Sequence, residues 1–227
     1  MVSVAPPGAA ESSGGPVLTA GSGFTLRVSD GWLELEVRPG HRVAALQDLL
    51  DRQVRDVPEL RAHRSGLLRL LREQAEQAWA SGAAYCASMA EPTPDGPITA
   101  SVVVLVVPGP LGFLDDDPER LAALAAPLPP IPDTGDETPW RQTSTVHVDG
   151  AGAAVRTAGV QDVELPDGSG AVHMVLMQTL VPLPHARTLV LTCSSPVVAL
   201  AGELLDLFDA VSDTLHVVLP DRLAVAG

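Results

Sequence analysis

The stretch from Thr143 to Cys193 constrains the fold more than any other part of the chain. Four β-rich runs, Thr143 to Val148, Val155 to Leu165, Val172 to Leu183 and Thr188 to Cys193, follow one another with only short links between them. Those links are Asp149-Gly150, Pro166-Asp-Gly168 and Pro184-His-Ala186, residue types that reverse a chain within a few positions. Parallel neighbours need a long crossover, so links this short dictate an antiparallel meander. Ser195-Pro196 then offers an N-cap and a first-turn proline to a closing helix. In that helix Leu200, Leu204, Leu207, Phe208 and Val211 share one face, with Glu203, Asp206, Asp209 and Asp213 elsewhere. The pattern predicts an α+β protein in which an antiparallel β-sheet is flanked by helices and closed by a C-terminal amphipathic helix.

Upstream, Phe24-Thr-Leu-Arg-Val28 and Leu33-Glu-Leu-Glu-Val37 alternate apolar and polar around Asp30-Gly31, which predicts a hairpin. Leu33, Leu35 and Val37 are expected to face the core, and Glu34 and Glu36 water. Two helices follow, over about 42–55 and 59–81, divided at Pro58. Leu46, Leu49, Leu50 and Val54 form the stripe of the first; Leu60, Leu67, Leu71, Ala75, Ala78 and Trp79 form that of the second. Arg61, Arg64, Arg69 and Arg72 read as a solvated row, supported by Arg69 with Glu73, and Ser81-Gly82 ends the helix. Tyr85 to Glu91 and Ile98 to Val107, joined by Pro92-Thr-Pro-Asp-Gly-Pro97, predict a second hairpin. Asp117-Pro118-Glu119 predicts the start of a short helix that Pro127 stops.

Residues 1–22 are rich in Gly, Pro, Ala and Ser without periodicity, so a disordered tail is expected there. One α+β domain is expected over 23–219, with a Pro-rich excursion at 127–139 and a tail at 220–227. A hydrophobic content of 46% suffices for a core, and with only 3% aromatics Leu, Val and Ala must fill it. All 14 basic residues are Arg, the usage of a GC-rich bacterial genome, and this excludes chemistry that needs a lysine amine.

The net charge of −14 argues against a nucleic-acid partner and against an anionic membrane surface. It is uneven: residues 1–72 hold 9 Arg against 8 acids, so the near-neutral part is N-terminal and a basic protein partner would suit the remainder. Cys86 and Cys193 are too few for a disulfide framework and fall among apolar strand residues, which suits buried free thiols. The N-terminus lacks a basic n-region and a continuous apolar h-region, and the longest apolar run, Val102 to Val107, is too short to span a bilayer. A cytoplasmic protein without membrane insertion is expected.

The residues that carry chemistry do not assemble into a known pattern. The six His residues show no HExxH, although His147 and His173 lie in strands that could bring them together across a sheet. No glycine-rich phosphate cradle is present, and Ser169 in Gly168-Ser-Gly170 is not a nucleophile elbow. Asp115, Asp116 and Asp117, and Asp133 with Asp136 and Glu137, are acidic clusters without calcium-loop spacing. No catalytic, cofactor-binding or metal-ligating residue is assigned, no cofactor is expected, and the reading is of a protein that is not an enzyme.

Two segments carry a family resemblance. Phe24-Thr-Leu-Arg-Val-Ser-Asp-Gly-Trp32 resembles the opening strand, turn and Gly-Trp of Mog1/PsbP-like proteins. Thr188-Leu-Val-Leu-Thr-Cys-Ser-Ser-Pro196, running into Leu204-Leu-Asp-Leu-Phe-Asp-Ala-Val-Ser-Asp-Thr-Leu215, is similar to that group's last strand and helix. The resemblance implies a central antiparallel sheet with helices on both sides, used as a non-enzymatic binding or assembly module. Its members include a Ran-binding protein and a photosystem extrinsic subunit, so no particular partner follows.

A helix-grip fold of the START or polyketide-cyclase type has nearly the same element order. Three functional expectations stand side by side. The first is a non-enzymatic protein-binding adaptor or accessory module, including an immunity protein or secretion chaperone. The second is a helix-grip carrier of a small apolar ligand, and the third a hydrolase or isomerase with an unrecognised site.

Overall fold

The structure, a computed structural model, describes residues 2–4, 23–56, 61, 64–91, 93–94, 96–109, 140–164 and 170–219. The chain runs β1 (Val2–Val4), β2 (Gly23–Leu26), β3 (Leu33–Leu35), α1 (Pro39–Asp56), α2 (Arg64–Ala80), β4 (Ala83–Glu91), β5 (Ile98–Pro108) and β6 (Trp140–Val148). It continues through β7 (Gly152–Glu164), β8 (Ala171–Leu183), β9 (Arg187–Ser195), a 3-10 turn at Val198–Leu200, α3 (Ala201–Ser212) and β10 (His216–Val218). The protein is therefore α+β, with antiparallel sheets, helices against them and a C-terminal helix, as the patterning predicts.

Seven strands form one sheet in the order β3-β4-β5-β9-β8-β7-β6, and every neighbouring pair is antiparallel. The hairpin β4-β5 and the meander β6 to β9 are the pairings that the short links require. β5 and β9 join these two units edge to edge, from Ser101 opposite Ser194 to Pro108 opposite Arg187. A second sheet of three short strands has the order β1-β2-β10.

Strand alternation divides the large sheet into two faces. The inner face carries Val102, Val104 and Val106 of β5, Leu189, Leu191 and Cys193 of β9, and Val175, Met177 and Val181 of β8, all buried. Phe24 and Leu26 of β2, Val217 of β10, and Leu204, Phe208 and Val211 of α3 close over them in one core. Phe208 is fully buried. On the other, outer face, α1 and α2 pack at the β3-β4 end, where Leu46, Leu49 and Ala75 meet Leu33, Leu35, Leu68 and Leu71.

Arg64 bonds Asp51 at 2.6 Å and ties the two helices together, while the exposed Arg69 and Glu73 lie 3.9 Å apart along one helix. Leu60 lies outside the described residues, as do the side chains of Val54 and Leu67. Gly82 stops α2 with φ +90°, a conformation open to glycine, and its carbonyl accepts from Val106 N–H.

Three local expectations are corrected, and one unforeseen strand is added. Phe24–Val28 and Leu33–Val37 do not form a hairpin: β2 pairs with β1 and β10, whereas β3 pairs with β4. Alternation names the face a strand buries, not its partner, and these strands bury toward opposite sides of the large sheet. Residues 2–4, read as part of a disordered tail, form β1, with Val2 opposite Leu26. The closing helix begins at Ala201 and has no side-chain cap, and Ser195 instead accepts Val197 N–H at 3.1 Å in a tight turn before it. Finally, β10 follows the helix and completes the small sheet, a strand too short for periodicity to mark. The excursion at 127–139, the helix opened by Asp117, and the tail at 220–227 lie outside the described residues.

Candidate binding face

The outer face is the unusual surface. Its positions on β5 are Thr99, Ser101, Val103, Leu105 and Val107, and on β9 they are Thr188, Val190, Thr192 and Ser194. On β8 they are Val172, Met174, Leu176, Gln178, Leu180 and Pro182, and on β7 Ala153, Val155, Thr157, Gly159, Gln161 and Val163. None of these is charged, in a protein of net charge −14. A solvated sheet face ordinarily alternates in Lys, Arg, Glu and Asp, and this one departs from that pattern.

Two kinds of row cross it. Val155, Leu180, Val190 and Leu105 stand side by side across four strands, the last three half-exposed. Next to them run polar groups that satisfy one another, with Gln178 Nε2 donating to Thr192 Oγ1 at 3.3 Å and Ser101 and Ser194 hydroxyls 2.8 Å apart.

At the β6 end the face changes character. Arg141 stands opposite Gly159, with Thr157 and Gln161 two residues to either side on β7. Arg141 Nη1, Gln161 Nε2 and Thr157 Oγ1 are all buried without a hydrogen-bond partner among the described residues, and Thr157 is only 1% exposed. Buried donors left unsatisfied are costly, and a guanidinium suits a carboxylate or phosphate oxygen. No pattern in the sequence marks Arg141, because its surroundings come from β7.

The inner face holds the contrasting case. Arg156, 9% exposed, donates from Nη1 to Asp209 at 2.6 Å, from Nη2 to Asp213 at 3.0 Å and from Nε to Thr179 Oγ1 at 3.2 Å. Two of these bonds attach α3 to the sheet, and the third ties β7 to β8. Burial pushes the Cys193 thiol up to about 12, partly offset by its Ser212 contact and by Arg156, and pushes Cys86 up to about 11. Burial, reinforced by Glu34, also raises Tyr85 above its ordinary value. Both cysteines are free, and both thiols are held in the unreactive neutral form.

The strand histidines do not meet. His147 lies on the outer face opposite Ala153, whereas His173 lies in inner-face register opposite Asp162, with which it pairs. His216 pairs with Asp149 at 2.8 Å, which joins β10 to the β6-β7 turn. Among the described residues no group of three or more His, Cys, Asp or Glu could hold a metal ion. Asp115, Asp116, Asp117, Asp133, Asp136, Glu137 and Ser169 lie outside the described residues. No described helix is long and apolar enough to cross a membrane. Between α3 and the sheet, Phe208, Leu204 and Val211 are in one buried core with Met177, Leu191 and Cys193. A ligand gripped there would have to displace them.

No protein-family model matches the chain, and no curated protein does. Among solved structures it is similar to the crystal structure of LpqN, involved in cell envelope biogenesis of Mycobacterium tuberculosis. The two share 14% identity and a TM-score of 0.43, over 87% of this chain and 84% of that one.

Proposed function

We propose that this chain is a non-enzymatic binding module, an adaptor or accessory protein that works through protein contacts on the outer face of its sheet. One observation carries the reading: four adjacent strands present no charge on that face, and Val103, Leu105, Leu176, Leu180 and Val190 stand half-exposed there. Contiguous uncharged surface of this kind marks a place of interaction. The partner it suits has an apolar strip bordered by basic residues, because the chain is strongly acidic outside its first 72 residues. The polar groups on the inner face support the same reading, since Arg156 is committed to α3 and the thiols are neutral. The test is Leu105→Glu with Val190→Arg, two facing residues whose new charges pair with each other while the apolar strip is lost. Co-purification of a basic partner with the tagged protein should be lost while the melting transition is kept. A partner retained in full by the double variant overturns the proposal.

A second reading is favoured by Arg141, Gln161 and Thr157: the same face takes an amphipathic small molecule, its anionic head on the unpartnered donors and its tail over Leu176 and Leu180. Titration with oleate and with oleyl alcohol separates the cases. Binding of oleate that Arg141→Gln weakens at least tenfold supports this reading, and equal response to both compounds removes it.

A further inference from the structure

The strand β6 ends the seven-stranded sheet, and among the described residues it pairs only with β7. All nine of its residues are in register with β7, with no bulge from Trp140 opposite Val160 to Val148 opposite Gly152. Gln142, Thr143, Ser144 and Thr145 are exposed, and Trp140 is 43% exposed. A sheet edge presents a row of unpaired N–H and C=O groups, and proteins that must stay separate blunt it with short strands, bulges, prolines or charges. The opposite edge follows that rule, since β3 is three residues long. β6 has no proline, no bulge, no acidic residue and one cation, and its Val and Thr residues favour further strand pairing.

We propose that β6 is completed by β6 of a second copy of this chain, antiparallel about a two-fold axis at Ser144, which joins two seven-stranded sheets into one. The strand is self-complementary in that register. Trp140 comes opposite the second copy's Val148, Gln142 opposite Val146, Thr143 opposite Thr145 and Arg141 opposite His147. Residues of one parity meet, so inner positions adjoin inner positions and outer adjoin outer. The apolar pair at each end and the β-branched pairs beside the axis are stabilising cross-strand combinations, and the register keeps the two Arg141 side chains apart. A second copy is a better occupant than a basic peptide because β6 has no acidic side chain to attract one.

The net charge of −14 makes the copies repel at a distance. Salt screens that repulsion, so self-association tightens as salt is raised, whereas a basic peptide on an acidic protein would loosen. Sedimentation of the whole chain at about 50 mM and about 500 mM NaCl reads this directly. A dimer several-fold tighter at the higher salt is expected. Ser144→Cys should then form an intermolecular disulfide on oxidation, because paired Cα atoms lie about 4.5–5.5 Å apart. Gln142→Cys should not, because its counterpart sits four residues along, roughly 13 Å away. Ser144→Lys sets two cations across the axis and should weaken the dimer at least tenfold. A chain that is monomeric at every concentration and salt, a dimer that salt loosens, equal crosslinking of the two cysteine variants, or a dimer indifferent to Ser144→Lys overturns the proposal.

Discussion

Arg156 of β7 donates to Asp209 of α3 across 2.6 Å, and the same guanidinium reaches Asp213 one turn further on at 3.0 Å. The cation is sunk in the sheet while the carboxylates sit at the rim: the Arg156 side chain is 10% exposed, those of Asp209 and Asp213 52% and 70%. A pair so divided does not respond equally to loss of its two halves. Removing the cation leaves two carboxylates that water solvates, whereas removing the carboxylates strands a buried charge.

Arg156→Met is therefore expected to cost about 1 kcal/mol or less, because an apolar side chain of similar length fills the same channel. The double variant Asp209→Ala, Asp213→Ala is expected to cost about 3–5 kcal/mol, with Thr179 the remaining bond to the guanidinium. Urea unfolding of the two variants measures the difference. Equal losses would mean that Arg156 reaches water and that the asymmetry is not there.

Phe208 is 0% exposed in the core between α3 and the sheet. Phe208→Ala should cost about 3–5 kcal/mol, a drop of roughly 10 °C in melting temperature for a domain of this size. Phe208→Asp adds a buried charge to the lost packing and should leave the protein unfolded at room temperature. Far-UV circular dichroism of the Asp variant distinguishes unfolding from rearrangement, and a native melting curve would contradict the packing described.

The meander from β6 to β9 was readable because its links leave no other pairing, and Phe208 because helical periodicity reports a buried face directly. Pairing at long range was not readable in that way. Nothing in Phe24 to Val28 says that β2 joins Val217 near the far end of the chain, so the adjacent Asp30-Gly31 suggests a hairpin that does not form. The outer face illustrates a further limit. Its lack of charge arises from alternate positions on four strands, each individually ordinary, and becomes visible only when register sets them side by side. Arg156 and Arg141 are both single arginines in alternating strands. What separates one bonded at three nitrogens from one without a partner among the described residues is the element above it, α3 in the first case, and no local pattern carries that.

The two thiols set an alkaline limit. Cys86 and Cys193 ionise from an ordinary 9.0 when the chain is unfolded, but in the fold burial pushes them to about 11 and about 12. Above pH 9 the unfolded chain sheds these protons and the folded chain keeps them, so the folded state binds more protons and stability falls as pH rises. The decline should begin near pH 9 and continue to about 11 for Cys86 and about 12 for Cys193, steepened by Tyr85, whose phenol is also shifted upward. Melting temperatures from pH 8 upward test this. Cys86→Ser, at the less buried of the two sites, should flatten the first part of the slope, and an unchanged profile would exclude that thiol as a contributor.

Gly150 and Gly202 should respond to alanine in opposite directions. At Gly150, φ is +79° and an added Cβ would lie 1.9 Å from the Val217 carbonyl oxygen, where β10 meets the β6-β7 turn. The backbone must give way, and the bond from Val217 N–H to the Asp149 carbonyl, 2.8 Å long, goes with it. Gly150→Ala should cost about 2–3 kcal/mol, the combined effect of a strained left-handed residue and a lost contact. At Gly202, inside α3, an added Cβ meets nothing within 4 Å. There alanine restricts only the unfolded chain and improves helix propensity, so Gly202→Ala should add about 0.5–1 kcal/mol. Amide exchange at Val217 gives the local reading: it should accelerate in Gly150→Ala while slowing or holding in Gly202→Ala. If Val217 stays equally protected in both, the small sheet does not depend on the Gly150 turn.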